Sequence, residues 1–83
     1  MGVSTDKALY IGNRESRFQP GICNSSDHCG VFQIYPPLWS HMLRSYVNGR
    51  GQSLGVLSRT NGRANVLLSL RFMAHEGFWP WGM

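Results

Sequence analysis

The chain has 83 residues, a formal net charge of +4 and a sequence pI of about 9.7. This length suits a single compact domain, residues 1–83, and a hydrophobic content of 42% excludes a wholly disordered chain. No apolar run approaches the roughly 20 residues of a membrane span. The arginines are scattered rather than clustered, which argues against nucleic-acid binding, while the positive charge favours other polyanions such as a bacterial wall.

The first predicted element is a helix that begins at the cap residues 4–6 and ends at the Pro-Gly pair that follows. Its apolar residues recur at helical spacing, at Ala8, Ile11 and Phe18, and Glu15 lies on the same stripe. A carboxylate on a buried face is unusual. One interpretation is a structural glutamate paired with a nearby arginine. The other is a catalytic acid, because burial favours the protonated carboxyl that can donate a proton near neutral pH.

Residues 19–29 are rich in turn-forming residue types and predict a loop. Cys23 and Cys29 flank its polar part, and three states stay open for them: a disulfide, two free thiols, or a metal site with His28. The metal interpretation lacks a fourth ligand, so we predict neither a metal nor another cofactor. Asp27 is expected to be a turn or cap residue, and the alternative is a second catalytic carboxylate.

The stretch Gly30–Tyr35 has a β-rich composition and predicts a short β element. Gly30 would let the backbone approach a ligand closely. The amide of Gln33 can donate to and accept from the hydroxyl and acetamido groups of sugars. The alternative for Gln33 is a surface side chain on a short strand.

Two further helices are predicted. The second begins at Pro36-Pro37 and carries an amphipathic pattern, and the third runs from about Arg63 to His75. Residues 47–63 between them predict a long loop with one helical turn near residues 54–57. The third helix would be capped by Thr60 or Asn61 and closed by Gly77. The tryptophans of the tail, residues 77–81, are expected to pack in the core.

Four motifs follow one another along the chain: E-S-R-F-Q-P at residues 15–20, G-V-F-Q-I-Y-P at 30–36, N-V at 65–66 and G-F-W-P-W at 77–81. In this order and spacing they resemble the lysozyme-like superfamily, above all the soluble lytic transglycosylase domain and the single-glutamate muramidases of bacteria and phages. The resemblance implies a mainly α fold (α+β lysozyme-like). Three main helices and a small β element or loop would lie beside a substrate cleft.

The resemblance also implies an activity, namely cleavage of the β-1,4 bond between N-acetylmuramic acid and N-acetylglucosamine in peptidoglycan. Glu15 would be the general acid and base. The same resemblance suggests substrate-binding roles for Ser16, Gln33, Tyr35 and Asn65.

Carboxylates are scarce in this chain. Most glycosidases use two carboxylates, whereas only Asp6, Asp27 and Glu76 accompany Glu15 here. This shortage favours a lytic transglycosylase. A hydrolytic muramidase and a non-catalytic peptidoglycan-binding module of the same fold are the alternatives, and a small cationic membrane-active protein is a further one.

The start of the chain has no basic segment followed by an apolar core, so no signal peptide is predicted. The expected location is extracellular, at the cell wall, reached by phage delivery, as part of a virion or after lysis. The expected partner is the peptidoglycan glycan strand. The chain would be a monomer or a domain of a larger protein, with no nucleic acid bound and no membrane span.

Overall fold

The computed structural model describes residues 4–47 and 58–83, and the chain in these ranges is mainly helical. This confirms the predicted mainly α class. Most of the predicted loop at 47–63, with its helical turn near 54–57, lies outside the described residues. The helices are α1, Thr5–Ser16; α2, Pro36–Tyr46; and α3, Gly62–Glu76; a 3-10 turn, Trp79–Trp81, follows them.

The predicted β element is a tight turn rather than a strand. In the described part of the chain, β pairing is limited to isolated bridges, Cys23 with Cys29 and Cys29 with Ile34. The backbone N–H of Cys29 donates to the Ile34 carbonyl at 3.0 Å, and the N–H of Ile34 donates back at 2.8 Å. The chain between these two residues therefore reverses too sharply to extend into a ladder.

Helix α1 begins as predicted, because the Ser4 hydroxyl accepts a hydrogen bond from the Lys7 N–H at 3.3 Å. It ends before the Pro-Gly pair, since Arg17 and Phe18 both adopt left-handed backbone angles, with φ of 53° and 62°. The Phe18 ring folds back over Gly12, where an added Cβ would lie 2.7 Å from a ring carbon. The glycine therefore makes room for the ring that closes the helix.

Helices α2 and α3 pack against each other, and their ends follow the sequence signals. Helix α2 has proline in its first turn, where no N–H partner is required. The Asn61 side chain caps α3 by accepting from the Ala64 N–H at 3.0 Å, and Gly77 closes it. Both residues were predicted for these positions.

The core lies where the three helices meet the turn that precedes α2. Its most fully buried apolar side chains come from all four parts: Ile11, Ile34, Met42, Leu68 and Phe72. The C-terminal tail joins this core, because the buried Trp81 ring donates from Nε1 to the Phe32 carbonyl at 2.8 Å. The expected core position is wrong for Trp79, whose residue surface is 61% exposed.

Candidate active site

Glu15 lies near the C-terminal end of α1 with its side chain 27% exposed. Its carboxylate oxygen Oε2 accepts from Arg14 Nε at 2.8 Å. The two residues line an open cavity of about 320 Å³, together with Ser16, Arg17, Gln19 and Ile22. The glutamate is thus half-buried rather than enclosed by the apolar stripe, and it has the neighbouring arginine that one interpretation of the sequence required.

Arg14 connects the glutamate to the C-terminal tail. While its Nε contacts Glu15, its Nη2 donates to the Trp81 carbonyl at 2.8 Å. The planar guanidinium can hold both acceptors at once, whereas a lysine ammonium offers no such fixed geometry. The sequence placed Arg14 merely at the side of the helix, and nothing in it indicated that the tail, 67 residues further on, would be its second partner.

Ser16 and Asn65, both expected to contact substrate, hydrogen-bond to backbone groups of the turn before α2, and Ser16 also lines the cavity of Glu15. The Ser16 hydroxyl is buried and donates to the Val31 carbonyl at 2.7 Å. The Asn65 side chain is fully buried. Its Oδ1 accepts from the Phe32 N–H at 3.0 Å, and its Nδ2 lies 3.1 Å and 2.9 Å from the carbonyls of Cys29 and Arg59.

These two side chains fix the turn from Gly30 to Ile34 from opposite sides, one from α1 and one from α3. The fit is close enough to require glycine at position 30. An added Cβ on Gly30 would lie 2.2 Å from Asn65 Nδ2, and its φ of 87° is also unfavourable for other residues. The glycine therefore serves the packing of the turn, where the sequence suggested close approach of a ligand.

Gln33 is buried on this turn, with a left-handed φ of 53°. Its Nε2 donates to the carbonyls of Ile22 and Gly30, both at 3.0 Å. Because both partners are acceptors, the amide nitrogen is committed to the loop, and the amide oxygen is the atom left to meet a ligand. The bond to Ile22 also joins this turn to the cavity that contains Glu15, which Ile22 lines.

An aromatic surface lies beside Gln33. A cavity of about 180 Å³ is lined by Gln33, His28, Tyr35, Leu38, Trp79 and Trp81. Tyr35 is 39% exposed and stacks on His28 with ring centroids 5.5 Å apart, so its ring is accessible to a ligand. The sequence suggested His28 only as a metal ligand beside the two cysteines; its buried Nδ1 has no hydrogen-bond partner among the described residues.

Asp27 is held as a turn residue. It has a left-handed φ of 60°, and Arg59 lies beside it with Nη2 3.0 Å from its Oδ1. The same guanidinium donates from Nη1 to the carbonyls of Asp27 and Ile34, at 2.5 Å and 3.0 Å. This ion pair clamps the loop and supports the turn role over that of a second catalytic carboxylate. The structure also joins Cys23 and Cys29 in a disulfide that closes the same loop.

A second carboxylate, Glu76, ends α3 and meets two side chains of α2. Its Oε2 lies 2.6 Å from His41 Nε2 and also accepts from the Tyr46 hydroxyl. The hydrogen bond from Tyr46, followed by His41, lowers the pKa of Glu76 from its ordinary value, although burial acts in the opposite direction. Burial and then the contact with Glu76 raise the pKa of Tyr46 to about 12.

Residues 4–47 and 58–83 contain no group of three or more His, Cys, Asp or Glu side chains placed to hold a metal ion. Over the same ranges, no helix is both long and apolar enough to cross a bilayer. The chain matches no protein-family model, no curated protein and no solved structure. The functional argument therefore depends on the geometry around Glu15 and on the motifs that surround it.

Proposed function

We propose that this protein cleaves the β-1,4 bond between N-acetylmuramic acid and N-acetylglucosamine in peptidoglycan, as a lysozyme-like lytic transglycosylase with Glu15 as general acid and base. The observation that carries the proposal is the half-buried carboxylate of Glu15, which lines an open cavity. General acids need both partial removal from water and access to substrate. This position offers both conditions.

The other carboxylates are less suited to the role. Glu76 is held on one oxygen by Tyr46 and His41, which commits it to the contact between α3 and α2 and lowers its pKa. Asp27 is paired with Arg59 and is part of the loop clamp. Asp6 belongs to the first turn of α1, nine residues before Glu15, which places it roughly 13 Å further along the helix axis.

The scarcity of a partner carboxylate favours chemistry that uses the substrate's own hydroxyl group. Glu15 would give its proton to the glycosidic oxygen as the bond from the muramic C1 breaks, and the departing sugar keeps that proton. The ionised Glu15 would then take the proton of the muramic C6 hydroxyl, whose oxygen bonds to C1. The product is a 1,6-anhydromuramic end, and no water is consumed.

A second cavity, which shares no lining residue with that of Glu15, also suits a glycan. The aromatic surface formed by His28, Tyr35 and Trp79 can stack on sugar rings, since exposed aromatic faces pair well with apolar sugar faces. The amide oxygen of Gln33 can accept from a hydroxyl or an acetamido N–H. The turn that carries Gln33 is held by hydrogen bonds from Ser16 to the Val31 carbonyl and from the Phe32 N–H to Asn65. Ser16 and Asn65 are therefore positioning residues in the proposal.

Two alternatives share the same fold and glutamate. A hydrolytic muramidase would let water attack C1, which needs a group that activates the water. A non-catalytic module would bind the glycan strand without cutting it. In all three cases the proposed partner is the peptidoglycan strand, and the proposed location is the cell wall, reached by export, phage delivery or lysis.

Mass spectrometry of the soluble products from purified peptidoglycan tests the proposal. Anhydromuramic ends are expected from the native chain, and none from Glu15→Gln, whose amide keeps the shape of the side chain. Reducing muramic ends would make the protein a hydrolase, and Asp27→Asn would then be the next variant to assay. If the folded native chain releases no soluble product, cleavage is refuted, and co-sedimentation with insoluble peptidoglycan measures binding instead.

A further inference from the structure

An apolar groove runs between α1 and α3 and plays no part in the proposed cleavage. Its volume is about 420 Å³, and apolar side chains of both helices and of the turns near Phe18 and Val31 line it. Within residues 4–47 and 58–83, Thr5 is the one polar side chain that lines it. Sugars need hydrogen-bonding partners in their sites, so this groove is unsuited to the glycan. Its main lining residues are Ala8, Leu9, Phe18, Val31, Val66 and Leu70.

Large apolar side chains are exposed in and beside the groove. Leu9 and Phe18 line it and are 53% and 47% exposed, and Leu67 is 43% exposed on α3. Leu67 follows Val66 and lies one helical turn from Leu70, so all three share one face of the helix. Apolar side chains exposed together at a groove mark an interaction surface, whereas singly scattered ones do not.

Three arginines, the arginine border, lie next to this surface by helix register and sequence; none of them lines the groove itself, and Arg17 also lines the cavity of Glu15. Arg63 and Arg71 lie four residues before and after Leu67, which places them on its face of α3, and Arg17 directly precedes Phe18. Arg71 donates to the Tyr46 carbonyl at 2.9 Å. In the described ranges, none of these three arginines forms an ion pair. The ion pairs found there join Glu15 to Arg14, Asp27 to Arg59 and Glu76 to His41.

We propose that this face, the α1–α3 groove with its arginine border, docks on an anionic lipid surface. Exposed leucine and phenylalanine would enter the boundary between headgroups and acyl chains, and the arginines would meet lipid phosphates. The formal net charge of +4 complements such a surface. The same charge opposes a second copy of the chain as occupant, since two arginine borders would then face each other. The proposal does not depend on glycan cleavage.

Co-sedimentation with vesicles tests the docking. The full chain is mixed with vesicles of phosphatidylglycerol and phosphatidylcholine, or of phosphatidylcholine alone, at low and high salt. We expect binding to the anionic vesicles, weaker binding at high salt, and far less binding to the neutral ones. Absence of binding to anionic vesicles at low salt would overturn the proposal, and so would equal binding to both compositions. If analytical ultracentrifugation without lipid detects a dimer, the groove is assigned to a second copy of the chain and the proposal is overturned.

Matched variants locate the surface. Arg63→Gln should weaken partition into anionic vesicles about fivefold, while Arg44→Gln, the same charge change on exposed α2, should weaken it less. Leu67→Ser should weaken it about tenfold, against little change for Tyr10→Ser, which removes an exposed aromatic group elsewhere on α1. Equal losses from Arg63→Gln and Arg44→Gln would show charge without a docking face and refute the proposal. Thermal melts confirm that each variant is folded, and Glu15→Gln, which removes one negative charge, should not weaken vesicle binding.

Discussion

Two glutamates, Glu15 and Glu76, lie at the C-terminal ends of α1 and α3, and their contacts differ. Glu15 lies near the end of α1, contacts the adjacent Arg14, and lines an open cavity. Glu76 is the last residue of α3 and has Tyr46 and His41, both from α2, on one of its oxygens. Glu15 and Arg14 are neighbours in sequence. Glu76 lies 30 residues from Tyr46 and 35 residues from His41, so its contacts tie two helices together.

The difference separates a carboxylate that lines an open cavity from one that joins two helices. Tyr46 and His41 stabilise the ionised form of Glu76 and lower its pKa, so its carboxylate serves the contact between α2 and α3. The turn beside Glu15 is instead held by other residues, Ser16 and Asn65, which leaves the glutamate free of that task. The variants below should therefore divide cleanly into those that affect chemistry and those that affect stability.

The largest expected effect is on cleavage. Glu15→Gln should lower the rate of peptidoglycan cleavage by about a thousandfold, since general acid–base catalysis of this kind contributes about 10²- to 10⁴-fold. Glu76→Gln should keep most of the native rate. Turbidity loss of a peptidoglycan suspension measures both. If Glu76→Gln proves the more damaging of the two variants under conditions where both are folded, the assignment of roles is reversed.

The next effect concerns the support of the turn beside Glu15. Asn65→Ala should lower the free energy of unfolding by about 3 kcal/mol, because it leaves the buried Phe32 N–H and the part-buried Arg59 carbonyl without their partner, while the Cys29 carbonyl keeps only the bond from Ile34. Urea denaturation measures the loss. Asn13→Ala, at an exposed position of α1, is the control and should change stability by less than about 0.5 kcal/mol. A loss below about 1 kcal/mol for Asn65→Ala would mean that the turn is held by other contacts.

Glu76 should affect stability in acid. Because its pKa is lowered in the folded chain, its contribution is present above the unfolded pKa and disappears as the pH falls below about 4.5 through the lowered value. Glu76→Gln should therefore cost about 1.5 kcal/mol near neutral pH and progressively less in acid. Unfolding followed by circular dichroism across this range gives the comparison. A constant difference between native and variant chains at every pH would contradict the linkage.

The smallest effect belongs to Tyr46. Tyr46→Phe should cost about 1 kcal/mol at neutral pH, the value of the hydrogen bond to Glu76. Because the pKa of Tyr46 is raised from 10.0 to about 12, its contribution is complete below pH 10.0 and is lost as the pH rises towards 12. Spectrophotometric titration of the native chain should detect one tyrosine that ionises late. The late transition should be missing from Tyr46→Phe, and its persistence there would assign it to another tyrosine.

The local signals in the sequence predicted much of the architecture. Ser4 and Asn61 cap their helices, Gly77 closes α3, and the prolines before Leu38 begin α2, as expected. Each of these signals acts within a few residues, so the surrounding fold changes it little. The end of α1 was placed too late, because the contact of Phe18 with Gly12 depends on how the chain turns back.

The candidate site was only partly predictable. The motifs selected Glu15, Gln33 and Tyr35, and all three lie beside open cavities. The same motifs assigned Ser16 and Asn65 to the substrate, although both are buried against backbone. A sequence motif does not by itself distinguish a group that would touch a ligand from one that holds a loop.

What the sequence by itself determined is the set of three helices, most of their ends and the glutamate at the close of α1. The tertiary structure decided which polar groups were left for a ligand. Arg14 reaches Trp81, Asn65 reaches the turn before α2, and Glu76 reaches Tyr46, all across distances in the chain that local patterns do not encode. Hydrogen bonds depend on positions in space, and only packing of the helices brings those positions together.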